Sequence, residues 1–213
     1  MVSPQSARDP SPAYRIETER LTVRCYEPAD AECLQAAVAK SRGHLLPWMP
    51  WAIDEPQDVS HKVQLIRGFR GRFDLGQEFV FGIFERVSGE LVGGCGLHPR
   101  CGPGGIEIGY WVRVDREGEG IATESTAALT RVGFELERVE FIEINCDPRN
   151  ERSAAIPRKL GYTREGLLRA RLPWPDGVRK DKETWSLLAE EYAVSPCAAA
   201  VIEALDVVGK RLL

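Results

Sequence analysis

The sequence predicts one mixed, largely antiparallel sheet flanked by helices: an α/β (α+β) fold in a single domain. Three observations carry that reading. The apolar segments 78–85, 90–98 and 106–114 follow one another with only Ser88-Gly89 and the glycine-rich 101–105 between them, and such separators punctuate hairpins. Only one strand–helix–strand crossover is evident, whereas a doubly wound parallel sheet needs that alternation throughout. The 213 residues are 43% apolar and 28% charged, which suits one soluble domain, and no repeat or linker divides them.

The elements follow in chain order. Residues 1–13 hold three prolines and three serines and read as a flexible arm. The segment 21–26 (LTVRCY) alternates as a strand does. Pro28 opens a helix reaching about Arg42, with Gly43 as its stop. LLPWMPWA follows at 45–52. A second helix spans 57–75, with Val59, Val63, Ile66 and Phe69–Phe73 roughly on one face. After the three strands comes a helix at 118–137, striped by Ile121, Ser125, Ala128, Val132 and Leu136. A strand at 139–145 and a helix at 150–160 lead to Gly161, placed as a C′ glycine. Segments 162–171 and 179–188 form a last hairpin around PWPDG. The tail 196–213 carries Val201, Ile202, Leu205, Val208 and Leu212 at helical spacing. The expected organisation is an arm at 1–13, a domain at 14–192 and a helical extension at 193–213. The apolar stripe of that extension either packs on its own domain or meets a second copy as a homodimer contact.

Charge and cysteine usage narrow the function. Lys and Arg number 28 against 32 Asp and Glu, a net charge of −4. That argues against a nucleic-acid partner, since binding a phosphate backbone by bulk charge needs a basic surface. No uncharged apolar run approaches the roughly 18–20 residues that span a bilayer, so no membrane partner is expected. The first residues lack the apolar core of a secretory signal. A cytoplasmic enzyme is the expectation. The six cysteines contain no CxxC pair and read as scattered thiols rather than metal ligands. His44, His61 and His98 stand far apart and read as structural or exposed.

The chemistry concentrates in IGYWVRVDREGEGIATEST at 108–126. A strand runs into Gly118-Glu119-Gly120 and at once into a helix. Two glycines let the backbone turn tightly and come close to a ligand. The first free amides of the helix, backed by its dipole, then make an anion site without net positive charge. A P-loop is excluded because no lysine follows Gly120. A dinucleotide loop would want glycine where Thr123 stands, and its flanking strands should alternate with helices. A purely structural glycine turn remains open on this motif alone.

The motif has company. ETERLTVR at 17–24, LLPWMPWA at 45–52, EIGYWV at 107–112, REGEGIATEST at 116–126, NCDPRNERSAAIPRKLGYTREG at 145–166 and KDKETWSLLAEEY at 180–192 stand in order. Together they resemble the GCN5-related N-acetyltransferase (GNAT) superfamily, and within it the RimJ/RimL-type branch, over residues 17–192. The resemblance implies a sheet splayed between the family's fourth and fifth strands, here 106–114 and 139–145. It implies acetyl-CoA as co-substrate, no metal, and transfer to a primary amine of a small molecule or a peptide. The amides of Glu117, Gly118, Glu119, Gly120, Ile121 and Ala122 would hold the pyrophosphate. Val112 and Val114 would pair with the pantetheine arm. Asn150 and Ser153 would sit on the CoA side of the next helix, where Asn150 also reads as a cap. The loop departs from the family's usual Q/R-x-x-G-x-G/A in carrying Asp115 and Glu117, with Arg116 between them as a phosphate contact.

Amide formation from a thioester requires that the ammonium lose a proton, that the oxyanion meet donors and that the thiolate be protonated or bonded. Glu107, on the strand beside the thioester, is the candidate base, directly or through water. The amide near Val112 is a candidate donor to the thioester oxygen. Ser153, by resemblance, is the donor to sulfur, and Tyr110 is a second candidate. Trp48 and Trp51, between prolines, read as core or as a wall of the acceptor pocket, and Trp174 stands in the last hairpin, where the resemblance implies a border to the acceptor or to a dimer mate. Competing readings are an acyl-CoA-binding module or sensor with little turnover, and a transferase for another acyl group.

Overall fold

In the computed structural model, which describes residues 12–213, nine strands form one sheet in the order β7-β8-β6-β5-β4-β3-β2-β1-β9. The strands are β1 (Arg15–Glu17), β2 (Leu21–Cys25), β3 (Phe79–Glu85), β4 (Leu91–His98), β5 (Gly105–Val112), β6 (Phe141–Cys146), β7 (Thr163–Pro173), β8 (Arg179–Leu188) and β9 (Glu203–Leu205). The helices of more than one turn are α1 (Ala31–Leu45), α2 (Val59–Asp74), α3 (Ile121–Glu135) and α4 (Glu151–Lys159). The expected arm lies outside the described residues except for Pro12 and Ala13, and Ala13 is buried.

Every neighbouring pair is antiparallel except β5 and β6, the two strands joined through α3. Their parallel ladder holds only Gly105–Phe141, Ile106–Ile142 and Glu107–Glu143. Beyond Glu107, β5 continues beside β4 alone and β6 continues beside β8 alone. The sheet therefore splays open at residue 107. The alternation of side chains divides the two faces. Ile106, Ile108, Ile142 and Ile144 pack with Leu129 and Val132 of α3 in the larger core. On the other face Leu34, Val38 and Ile66 of α1 and α2 cover Tyr26, Phe84 and Leu91.

Two expectations about element ends change. Helix α1 runs through Gly43 to Leu45. Gly43 is exposed, with open space where a Cβ would stand, so it acts as an ordinary helical residue. The tail is not a helix. Pro196–Ala199 is a single 3-10 turn, and β9 pairs with β1. Val201 and Glu203 point outward while Ile202 and Ala204 are buried, a period of two rather than 3.6. Asp206 then accepts the amides of Val208 and Lys210, and Gly209 takes a positive φ of 79°. That turn lets residue 211 bridge back to Leu205. The tail extends the same sheet, and its helical stripe does not exist.

One buried ion pair fixes the segment between α1 and α2. The Lys62 ammonium meets the Glu55 carboxylate with side chains 2% and 5% exposed. The other carboxylate oxygen of Glu55 accepts the Gln57 amide at 3.0 Å, and its carbonyl accepts from Arg42. Removing one partner strands a buried charge, at a cost of about 3–5 kcal/mol. Lys62→Ala is therefore expected to lower unfolding stability by about that much. Urea denaturation checks it, and a loss below ~1 kcal/mol would contradict the pairing.

Candidate active site

The α3 entrance is built by glycine. Gly118 and Gly120 have φ of 77° and 80°, a region that side chains rarely enter. Gly120 is the N-cap and brings no side chain to bond the first turn. The amides of Ile121, Ala122 and Thr123 therefore lack intrahelical acceptors. A Cβ at Gly118 would meet nothing within 4 Å, so the turn faces open space. Arg20 braces it from behind, donating to the Glu119 carbonyl at 2.9 Å and to the Glu124 carboxylate at 2.7 Å.

The loop acids are paired. Asp115 accepts from Arg113 at 2.6 Å and from Lys40 at 2.7 Å, and these bonds push its carboxyl well below the usual carboxylate range. Glu117 accepts from Arg152 at 2.6 Å, with His44 Nε2 at 3.3 Å. Arg116 is turned into a carboxylate cluster of Glu85 at 2.7 Å, Glu119 at 2.9 Å and Glu90 at 3.4 Å. The expected phosphate role of Arg116 is thus replaced by an anchoring one, and Asp115 and Glu117 present little unbalanced charge to an anion.

The open edge of β5 offers backbone groups. The Arg113 amide donates to Val92 on the β4 side. Alternation then aims the amides of Ile108, Tyr110 and Val112 into the splay. Val114 differs from expectation: β5 ends at Val112, and the Val114 amide donates to the Ser41 hydroxyl at 3.1 Å. Its amide is not available to a ligand, because the chain has already turned into the 3-10 segment Val114–Arg116.

Across the splay, α4 closes the side bearing the larger core. Asn150 caps the helix, accepting the Ser153 amide at 3.2 Å. Pro157 within α4 has no N–H, so the Ser153 carbonyl loses its helical donor. The Tyr110 hydroxyl fills that place at 3.1 Å and lies 3.2 Å from Ser153 Oγ. Burial pushes the Tyr110 phenol far above its ordinary range, so it stays protonated. Tyr110 and Ser153, separated by 42 intervening residues, thus meet at the gap. Cys146 lies beside them, its thiol pushed up to about 12 by burial.

Glu107 faces the opposite side, at the last parallel pair. Its two oxygens accept from Arg100 at 2.6 Å and from Asn145 at 3.0 Å. Asn145 also donates to Glu143 at 3.3 Å and accepts from the Thr184 hydroxyl at 2.8 Å, which links β5, β6 and β8 across the vertex. Next to Glu107, His98 Nδ1 lies 2.7 Å from Glu78, whose other oxygen accepts from Arg72 at 2.8 Å. Glycines hollow this face: a Cβ at Gly96 would lie 2.7 Å, and at Gly109 3.3 Å, from His98 Nε2.

Trp48 and Trp51 are not part of the buried core. Trp51 is 40% exposed and packs edge-on against Trp111 on the Glu107 face. Trp48 is half-buried. Lys180 donates to the Pro47 carbonyl at 2.8 Å and lies 3.1 Å over the Trp174 ring, so the β7–β8 tip touches the Pro-Trp segment. Asn145 and Arg100 were not singled out in the sequence, where His98 reads as structural or exposed. The signal for His98 was the 90–98/106–114 hairpin, whose register sets His98 opposite Glu107.

Residues 20–163 match the family model described as "Acetyltransferase (GNAT) domain". The chain is 29% identical to "Putative ribosomal N-acetyltransferase YdaF" of Bacillus subtilis, covering 82% of this chain and 94% of that one. It is 27% identical to "[Ribosomal protein uS5]-alanine N-acetyltransferase" of Escherichia coli, over 78% and 89%. Among solved structures, Mycobacterium smegmatis RimJ in complex with CoA-disulfide superimposes with a TM-score of 0.75 at 28% identity, over 84% of this chain and 86% of that one.

Proposed function

The chain belongs to the acetyltransferase (GNAT) family, and from that premise we propose that this N-acetyltransferase moves the acetyl group of acetyl-CoA onto the N-terminal amine of a protein or peptide. The single observation that carries the assignment of the site is the splay at residue 107. There an ionisable side chain stands where the open edge of β5 begins, and that edge runs on to Val112 and the glycine-cornered entrance of α3. Relatives named for ribosomal proteins support a peptide acceptor over a small molecule. A cytoplasmic location fits those relatives, and no helix among the described residues is long and apolar enough to cross a membrane.

In this reading the amides of residues 117–122 hold the pyrophosphate, which the open turn and uncapped first turn fit. The β5 edge pairs with the pantetheine arm, and the Val112 amide donates to the thioester oxygen. Glu107 accepts an N–H of the incoming ammonium, directly or through water, and holds the amine where it loses its proton. Ser153 donates to the sulfur as it leaves. Tyr110, committed to the Ser153 carbonyl, positions that hydroxyl. Trp48, Trp51 and Trp174 wall the acceptor. The loop acids are neutralised by partners, which supports turnover over a sensor role.

The test is thiol release from acetyl-CoA with peptides bearing free N-terminal alanine or serine, set against polyamines and aminoglycosides. Release with the peptides, reduced about ten- to hundred-fold in kcat by Ser153→Ala, is expected. Release with the small amines alone would overturn the acceptor. CoA binding without release across the whole panel would favour the sensor.

A further inference from the structure

Glu107 accounts for the approach of an ammonium but is an awkward final home for its proton. Both its oxygens already accept N–H bonds, and a proton arriving there would oppose the ion pair with Arg100. The neighbouring group is better placed. The ionised Glu78 carboxylate can only accept, so the 2.7 Å contact requires the proton of neutral His98 to sit on Nδ1. Nε2 then carries the lone pair, close over Gly96 and Gly109. Gly109 lies two residues beyond the last parallel pair, where β5 has parted from β6. No side chain at 96 or 109 intrudes on that nitrogen. His98, Glu107 and Asn145 share the acceptor face by alternation along their strands.

Resting on the reading of the splay as the site of acetyl transfer, we infer that His98 Nε2 is the base that takes the proton from the acceptor amine, with Glu107 holding and polarising the amine and Glu78 positioning the imidazole. The step balances. One N–H bond of the ammonium breaks and an Nε2–H bond forms. The freed lone pair makes the N–C bond, the C–S bond breaks with its electron pair going to sulfur, and a second N–H proton of the attacking nitrogen passes to that sulfur beside the Ser153 hydroxyl, leaving a neutral amide and a free thiol. The imidazolium then returns its proton to water. Glu78, itself held by Arg72, bonds the ring, and the charges of Glu107 and Arg100 also act on it. Burial pushes the imidazole below its ordinary range, Glu78 and Glu107 oppose that shift and Arg100 adds to it. The ring is thus neutral at pH 7 and able to accept.

Two measurements test this. Long-range proton–nitrogen spectra of the whole protein at pH 7, with no substrate added, are expected to show His98 neutral and protonated at Nδ1. Protonation at Nε2, or an imidazolium, overturns the proposal whatever the activity. The second is a pH profile with acetyl-CoA and a peptide bearing free N-terminal alanine. Wild-type kcat should rise along a limb centred below the free-imidazole range. His98→Ala should lose about 10²–10⁴ in kcat, lose that limb, keep its CoA affinity and regain rate with added imidazole. A retained limb or an undiminished rate in His98→Ala overturns the proposal. If wild type releases no thiol with any amine, the functional reading fails, and the nitrogen spectra still decide the state of His98.

Discussion

Gly120→Val is expected to abolish acetyl-CoA binding measurable by calorimetry while the protein still folds. Gly120 sits at φ 80° as the N-cap of α3. A β-branched side chain there costs roughly 1–3 kcal/mol of backbone strain if the turn is kept. The strain is relieved by moving φ to negative values, which swings the amides of Gly120 and Ile121 away from their common focus. Each amide bond to a charged phosphate contributes about 1.5–3 kcal/mol, so losing two removes about 3–6 kcal/mol, a hundred-fold or more in affinity. A new Cβ would also approach Arg20, 3.4 Å away, which braces the turn. Gly102→Val is the matched control. Gly102 also has positive φ, at 105°, but lies in the β4–β5 turn with open space around it. It should carry similar strain and keep its CoA affinity. Equal loss in both variants would mean that strain alone, not the α3 entrance, governs binding.

The parts of this molecule that were legible in sequence are those dictated locally. Hairpin punctuation marked β3, β4 and β5, and Gly118 and Gly120 announced a turn that other residues resist. Asn150 was legible as a cap, and it caps. What was not legible depends on register between distant strands. The parallel contact of β5 with β6 is three residues long, and nothing local in 139–145 says where it stops. Asn145 becomes part of the site only because the ladder ends two residues before it. The union of Tyr110 with Ser153 rests on Pro157 freeing one carbonyl, a consequence visible only once β5 and α4 are side by side. In the tail, five apolar residues at helical spacing were outweighed by a period-two alternation over 201–204 and a turn built on Asp206 and Gly209.

Glu107→Gln separates the roles of the two groups on the acceptor face. Glutamine keeps the shape and can still accept from Asn145 at one oxygen, but it removes the negative charge and leaves Arg100 without its partner. An ammonium approaching the vertex then meets an uncompensated guanidinium instead of a carboxylate. The expected result is a fall of about a hundred-fold or more in kcat/KM for the peptide, with the KM for acetyl-CoA nearly unchanged because the α3 entrance lies on other residues. The direction of the pH limb follows from charge. Glu107 favours the protonated form of His98 and Arg100 disfavours it. Without Glu107 the imidazole holds its proton less well, so the rise in activity should move to lower pH while persisting. Its disappearance in Glu107→Gln would make Glu107 itself the titrating base, and an unchanged rate would remove Glu107 from the chemistry. A persistent, acid-shifted limb in Glu107→Gln together with its loss in His98→Ala is the pattern that only a carboxylate-polarised histidine base produces.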